Sequence, residues 1–435
     1  MSVASQGENA PIAPRRHMLT LAAAIFVGIG IPLMASSPTV SGIALALGFL
    51  LLLAAPGRVD VVRGLADGVR TPLGLAILLT MVLWLPGVIG SLNFGRSIAI
   101  WGRMAGFLLV AALIYQFLSR GALDSCLRAL IIASLLCAFI ALLGLYAASP
   151  IYGLFRGKGW VDVNAAQILK YYGSALACLP PVVLWAGFRL GGRWRFAGLV
   201  YVPAAIVLMF AVDSLAGLLG LVVGAVVGAI AGLCQWRCWL QGRAAALFLG
   251  LLALLLILAF AWVLSHLPAP PEAGQIIDEV YVGPVDTDLP VAVIDAHRQY
   301  IWGFAFDKAV EAPFFGHGID VSNYLPGASV LIEKFNQSFI PSHPHSWVLE
   351  IFLEAGAVGL AALLLALVVL LRLWLRIGRT SPGAAACGIA VFAAFWSSSM
   401  LNFSIWAAWW QGVFLVLSAI VLAAARHNAG ASRAP

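Results

Sequence analysis

Apolar runs of roughly membrane-spanning length recur along the chain, separated by short polar connections. They fall at 18–36, 40–56, 72–91, 98–118, 126–147, 166–188, 196–211, 215–233, 244–266, 346–371, 384–402 and 405–425. A helix needs about 20 apolar residues to cross about 30 Å of hydrocarbon. The pattern therefore predicts twelve spans, with a break at Val212-Asp213-Ser214 dividing two runs that otherwise read as one. The first run follows Arg15-Arg16-His17 and reads as a span rather than a cleaved leader. Only one connection is long, residues 267–345. It opens on a Pro-rich, acidic stretch from Pro268 to Pro290, expected to be extended. An amphipathic helix follows from Asp295 to Val310, on the spacing of Ile301, Trp302, Ala305, Phe306 and Ala309. Pro313-Phe314-Phe315-Gly316-His317-Gly318 reads as a turn.

Composition agrees with this division. Hydrophobic residues make up 62% of the 435 positions and charged residues 10%, which excludes a soluble globular domain. The expected architecture is an all-α polytopic membrane protein in three parts: spans one to nine in 1–266, a loop lobe in 267–345, and spans ten to twelve with a tail in 346–435. The net charge of +7 does not point to nucleic acid, because the basic residues alternate between connections. Arg15 and Arg16, Arg58, Arg63 and Arg70, Arg120 and Arg128, Arg189, Arg193 and Arg195, Arg237 and Arg243, Arg372, Arg376 and Arg379, then Arg426 and Arg433 all fall on one side. Positive charge collects on the cytoplasmic side, so both termini are expected there and the long loop opposite. The six cysteines avoid that loop, which excludes a disulfide framework in it; Cys234-x3-Cys238 lacks the further ligands of a zinc site.

Eight basic residues escape the rule: Arg96, Arg103, Arg156, Lys158, Lys170, Arg298, Lys308 and Lys334. Arg298 lies on the amphipathic helix, where its planar fork suits a phosphate or a salt bridge to Asp295 or Asp307. Arg156-Gly157-Lys158-Gly159 has the glycine spacing of an anion-binding nest. Lys170 and Arg103 fall inside predicted spans, where a cation needs an anionic partner. Pro344 should stop helix before it, placing His345 at the head of a span with Ser346 as its cap. Gly356 and Gly359, some three turns on, would admit a neighbouring helix. A neutral imidazole at this water edge can take a proton at neutral pH. Glu350 and Glu354 lie below it on the same span and require partners. His343-x-His345 also has the spacing of a metal pair, with His317 or an acidic loop residue completing it, although no recognised metal motif surrounds it.

His345-Ser346, nine residues, then Gly356-x-x-Gly359 resembles the motif of bacterial O-antigen ligases and the related lipid-linked glycan polymerases, at the end of a large periplasmic loop. Arg298 upstream of Pro313-x-x-Gly316-x-Gly318, and Arg156-Gly157 before Asp162-x-Asn164, are similar to further segments of that family. The rest of the chain is similar in topology rather than in residues. The resemblance implies a fold of the membrane glycosyltransferase (GT-C-like) kind in the bacterial inner membrane, with its site facing the periplasm. It implies a glycan donor on undecaprenyl pyrophosphate and lipid A-core as acceptor, for lipopolysaccharide biosynthesis, with inversion at the anomeric carbon. His345 and Arg298 would be catalytic. Arg156, Lys158, Lys170 and Arg298 would bind pyrophosphate, with support from Glu350, His343 and Arg103; no metal or cofactor is called for. The chain departs from the family at Asp213-Ser214-Leu215, where relatives carry Ser-Arg-Gly. An O-antigen polymerase or a protein O-oligosaccharyltransferase would use the same donor with another acceptor. A lipid-glycan transporter would also have twelve spans, but with its charges near the midplane.

Overall fold

A computed structural model describes residues 14–54, 58–236, 255, 257–269, 273–292 and 294–431. The protein is mostly helical, and seven of its helices are long and apolar enough to cross a membrane: Pro72–Ile89, Phe94–Leu118, Leu123–Tyr146, Arg193–Ala211, Leu215–Cys234, Trp347–Ile377 and Ala408–His427. Four shorter apolar helices accompany them, Met18–Gly30, Pro38–Ala54, Leu179–Leu190 and Pro382–Ser398. Large apolar side chains remain exposed along these helices, among them Leu75, Leu78, Leu79 and Val82 on one, and Leu219, Val222, Val226 and Ile230 on another. Spacing of three and four puts each set on one outward face, which in water would be an aggregating patch and in a bilayer is the lipid surface. The chain is a polytopic membrane protein. The predicted span at 244–266 lies mostly outside the described residues, as does Cys238.

The break at Val212-Asp213-Ser214 is real: one helix ends at Ala211 and the next begins at Leu215, with Asp213 in the left-handed region at φ 52. The second of these helices packs on Pro382–Ser398 through small residues. A Cβ on Gly220, Gly224 or Gly228 would sit 2.7 Å from Ala394 or Ala390, so the glycine at every fourth position sets how closely the backbones approach.

Three expectations need correction. The run at 166–188 is not one span but three pieces, Ala165–Ile168, Lys170–Ala175 and Leu179–Leu190. The chain tightens from four-residue to three-residue hydrogen bonds at Ala177 (to Ser174, 3.0 Å) and Cys178 (to Ala175, 3.1 Å); Pro180 and Pro181 then supply no N–H. The connections at 58–69 and 149–155 are themselves helical. Finally, the protein is not all-α. The long loop carries a four-stranded sheet in sequence order, Ile276–Ile277, Val280–Tyr281, Leu331–Ile332 and Gln337–Ser338. The outer pairs are antiparallel and the central pair, Val280–Leu331 and Tyr281–Ile332, is parallel. Strands of two residues are too short to show a period of two in sequence.

The loop lobe has its own core. Helix Ala296–Glu311 buries Tyr300, Ile301, Trp302, Phe304, Ala305 and Ala309 against Tyr281, Ile332, Phe339 and Ile340. Leu349 and Leu353 of the long helix Trp347–Ile377 belong to the same cluster. Ile351 and Ala355 of that helix belong instead to the core between the membrane helices. The head of this helix therefore ties lobe to membrane bundle.

Candidate active site

Helix Ala296–Glu311 begins where Asp295 caps it, its carboxylate accepting from the Arg298 N–H at 3.0 Å. The same carboxylate holds Arg298 Nε at 3.1 Å. The salt-bridge expectation is thus met, while the rest of the guanidinium stays available. Arg298 lines a cavity of about 520 Å³ together with Asp295, His297, Lys334, Gln337 and His345, a size suited to a small polar headgroup or sugar. Trp302, one turn on, donates to the Pro344 carbonyl at 3.0 Å, which fixes the helix against the segment that carries His345. Arg298 and His345, 47 positions apart in sequence, meet in one cavity.

His345 is held in an uncommon backbone conformation, φ 55, where a side-chain-bearing residue needs support. Its N–H donates to His343 Nδ1 at 3.1 Å, so that nitrogen of His343 carries no proton. The His345 ring has the opposite tautomer. Its Nδ1 lies 3.1 Å from the Asn402 carbonyl, which can only accept, so Nδ1 bears the hydrogen and Nε2 keeps a lone pair. Nε2 has no hydrogen-bond partner among the described residues. Burial lowers the proton affinity of both rings. His343 is pushed down to about 3, with His345 and Arg298 adding to the effect. His345 is lowered against the pull of the Asn402 carbonyl. Both are neutral at neutral pH, and His345 is set up as an acceptor of protons.

With His343 Nδ1 occupied in this way, the two histidines do not form a metal pair through their Nδ1 atoms. Among the described residues no group of three or more His, Cys, Asp or Glu is placed to hold an ion. His317 is elsewhere employed, its Nε2 2.7 Å from the Lys308 carbonyl.

Ser346 occupies the cap position of helix Trp347–Ile377, but its hydroxyl does not cap; it is buried without a partner among the described residues. Instead the Trp347 N–H donates to the Ser399 carbonyl at 3.2 Å. Glu350 and Glu354 are both buried, at 1% and 0% exposure, and neither touches His345. Glu350 accepts from Ser404 Oγ (2.5 Å) and the Ile405 N–H (2.9 Å). Glu354 accepts from three successive amides, Asp320, Val321 and Ser322, at 2.6–3.1 Å, and from the Trp406 indole.

Gly356 breaks the helix, at φ 67 and ψ −176. The glycine does admit a close neighbour, yet it is a turn of the long loop rather than a helix. A Cβ there would lie 2.2 Å from the backbone of Phe314, and one on Gly316 would lie 2.3 Å from that of Glu354. Across the break the Ala357 and Val358 N–H groups donate to the carbonyls of Pro313 (2.8 Å) and Phe314 (3.2 Å). In return His317 and Gly318 donate to Leu353 and Glu354 at 3.0 Å each. The two glycine motifs seen in the sequence are each other's partners. Gly359 takes Trp84, whose indole donates to its carbonyl at 3.2 Å.

The other basic residues disperse. Arg156 lines a separate cavity of about 280 Å³ with Ser37, Gln167 and Tyr171, its Nε donating to the Ser36 carbonyl at 2.9 Å. The neighbouring glycines do not build a nest: the N–H groups of Arg156, Gly157 and Lys158 are spent on the carbonyls of Tyr152, Gly153 and Leu154. Lys158 and Lys170 are exposed, so Lys170 is not the buried cation that its place in an apolar run suggests. Arg96 pairs with Asp320 at 2.9 Å. Arg103 donates to the Trp406 carbonyl, and its Nε is buried without a partner among the described residues. Lys334 and Asn402 were not singled out as site residues by sequence reasoning. Lys334 carried a signal, being one of the eight basic residues outside the orientation rule. Asn402 carried none, because it acts through its backbone.

No protein-family model matches the chain. Alignments do connect it with rickettsial proteins, each named "putative polysaccharide ligase". It is 30% identical to the Rickettsia conorii protein over 128 residues, 28% of this chain and 30% of the relative. The Rickettsia bellii protein is 30% identical over 157 residues, 35% and 37% of the two chains. The Rickettsia prowazekii protein is 30% identical over 127 residues, 28% and 31%. The chain thus matches about a third of the length of these relatives.

Proposed function

We propose that the protein is a membrane glycosyltransferase of the O-antigen-ligase kind. It transfers a glycan from undecaprenyl pyrophosphate to a core sugar hydroxyl of lipid A-core, on the periplasmic side of the bacterial inner membrane. The observation that carries this reading is the cavity shared by Arg298 and His345, with His345 neutral and its Nε2 unbonded. The similarity to proteins named as polysaccharide ligases supports it, as does the set of apolar helices. The topology we propose adds the span expected from sequence at 244–266 to the seven long and four short apolar helices, for twelve in all with both termini cytoplasmic.

In the transfer step an acceptor hydroxyl gives its proton to His345 Nε2 as its oxygen attacks the anomeric carbon. The bond from that carbon to the pyrophosphate oxygen breaks, and the electron pair leaves with undecaprenyl pyrophosphate. Arg298, assisted by Lys334, meets the negative charge that appears there, in a site where fixed charges are worth more than in water. Direct displacement inverts the anomeric centre. Proton transfer and charge stabilisation are both supplied by protein groups, and no sugar nucleotide is consumed. Arg156 acts outside this step, at the separate cavity, while Lys158 and Lys170 line neither cavity.

The test is reconstitution. Purified protein with lipid-linked glycan and lipid A-core, without nucleotide, should yield the ligated product. His345→Ala should lose about 10²–10⁴-fold in turnover while still binding donor. Wild-type turnover by folded His345→Ala would end the general-base reading. Extension of the lipid-linked glycan in place of ligation would make the protein a polymerase.

A further inference from the structure

The base reading leaves open what keeps His345 in the one tautomer that can act. A neutral imidazole with its hydrogen on Nε2 would present a donor, and would take no proton from a hydroxyl. The choice rests on the carbonyl of Asn402, and the position of that carbonyl is itself determined from two sides. On one side the Asn402 side chain is locked: Oδ1 accepts from Ser174 Oγ at 3.1 Å and Nδ2 donates to Ser398 Oγ at 2.9 Å. These partners come from Lys170–Ala175 and Pro382–Ser398, elements distant in sequence from each other. On the other side Glu350 grips residues 404 and 405 by two hydrogen bonds, 2.5 and 2.9 Å. Glu350 stands on the first turns of the helix headed by His345. The ring and the carbonyl that reads it are thereby referred to the same rigid element.

We propose that Asn402 and Glu350 are positioning residues for His345, holding the carbonyl that assigns the proton to Nδ1 and leaves Nε2 free. The inference rests on the reading of His345 as the base. It explains why a carboxylate sits buried just below the histidine without touching it. The usual device for orienting a catalytic imidazole is a carboxylate bonded directly to its N–H. Here the carboxylate acts one step removed, through a loop backbone, and leaves no charge against the ring.

The charged and titratable groups around His345 are His343, whose ring lies 4.1 Å away, and Asp295, His297, Arg298 and Lys334 of the cavity. All stay in place when Asn402 is changed, so a shift in the pH profile of an Asn402 variant reports the carbonyl contact. That contact favours the protonated ring. Losing it moves the acid limb of the rate profile to lower pH.

The experiment uses full-length protein in the transfer assay, with donor binding and thermal unfolding measured alongside. Asn402→Ala and Glu350→Ala should lose about 10²-fold in kcat, the effect of a small displacement of a reacting group, with KM unchanged. Asn402→Ala should also move the acid limb downward. Glu350→Gln can still accept from Ile405 and donate to Ser404, and should recover most of the rate. If Asn402→Ala does not fold, the double variant Ser174→Ala, Ser398→Ala removes the same anchors without emptying the site, and should show the same shift. Wild-type kcat with an unmoved profile in folded variants would overturn the proposal. So would a loss confined to KM, or a Glu350→Gln as inactive as Glu350→Ala. An inactive His345→Ala beside a normal Asn402→Ala would sink this inference alone, whereas an active His345→Ala would sink the base reading beneath it.

Discussion

Replacing Gly356 by alanine should separate the loop lobe from the membrane helix that carries the histidine. Its backbone, φ 67 and ψ −176, lies in a region that essentially only glycine enters, at a cost of about 1–3 kcal/mol for another residue. The new Cβ would also fall 2.2 Å from the Phe314 carbonyl group. Relief of such an overlap by backbone shifts costs about 1–3 kcal/mol more. The alternative is for the substituted position to become helical. Ala357 and Val358 would then donate to Leu353 and Glu354, satisfying four groups with two bonds. The loop would lose all four of its bonds across the break, at about 0.5–1.5 kcal/mol each. The first route costs about 2–6 kcal/mol; the second, with two bonds regained for four lost, costs about 1–3 kcal/mol and releases the turn at 313–318. Thermal unfolding in detergent and limited proteolysis of the loop are the measurements. Gly102→Ala is the control: its added Cβ would meet nothing within 4 Å, and in helix Phe94–Leu118 it should be neutral or slightly stabilising. A Gly356→Ala protein that unfolds with the wild type and resists protease equally would refute the interlock.

Three further outcomes follow from the same geometry. Arg298→Gln should reduce transfer far more than Arg156→Gln, because only Arg298 shares the cavity of His345; equal losses in turnover would return Arg156 to the transfer step. His343 has a folded-state pKa of about 3 against the ordinary 6.5, so the unfolded chain binds the extra proton between those values and stability should fall as pH drops through that window. His343→Asn, which keeps an acceptor for the His345 N–H without titrating there, should flatten the fall in melting temperature as pH drops through that range; an unchanged slope would place the acid sensitivity elsewhere. A reporter at Pro284 should be accessible from the periplasm and one after Arg426 only from the cytoplasm, and finding both on one side would overturn the twelve-span topology.

Much of this architecture was legible because membrane helices announce themselves one at a time. A run of apolar residues is a local signal, and even the break at Asp213 showed, since one charged residue interrupts two runs. The helix Ala296–Glu311 was legible for a related reason, its buried face being set by side chains at helical spacing. The sheet was not, since two-residue strands are specified by partners far away in sequence. The kink at Leu176–Cys178 was hidden inside a run long enough to read as one span, where only the paired prolines marked it. In the site, the meeting of Arg298 with His345 was expected from resemblance and is reproduced by geometry. The separation of Arg156 from them was invisible, because a sequence lists cations without saying which cavity each enters. The tautomer of His345 was beyond sequence altogether, being written by a backbone carbonyl whose position is set by side-chain contacts distant in sequence.

The spacing of nine residues between Ser346 and Gly356 has a physical meaning once the break is seen. The stretch Trp347–Ala355 is a short helix bounded above by His345 and below by the inserted turn. At 1.5 Å per residue it is about 13–14 Å long. Its faces are committed on every side. Leu349 and Leu353 pack into the loop lobe, Ile351 and Ala355 into the membrane bundle, and Glu350 and Glu354, one turn apart, hold the loops at 404–405 and 320–322. Adding or removing one residue would turn the upper part by about 100° against the lower, and no face would then meet its partner. The glycine fixes where the helix stops, the two carboxylates fix its rotation, and the histidine at its head inherits both. A catalytic group needs placement within about half an ångström, and here it is attained by a helix locked at one end and keyed along its sides. The glycines and the histidine thus form one device, in which the interlock supplies position and the imidazole supplies chemistry.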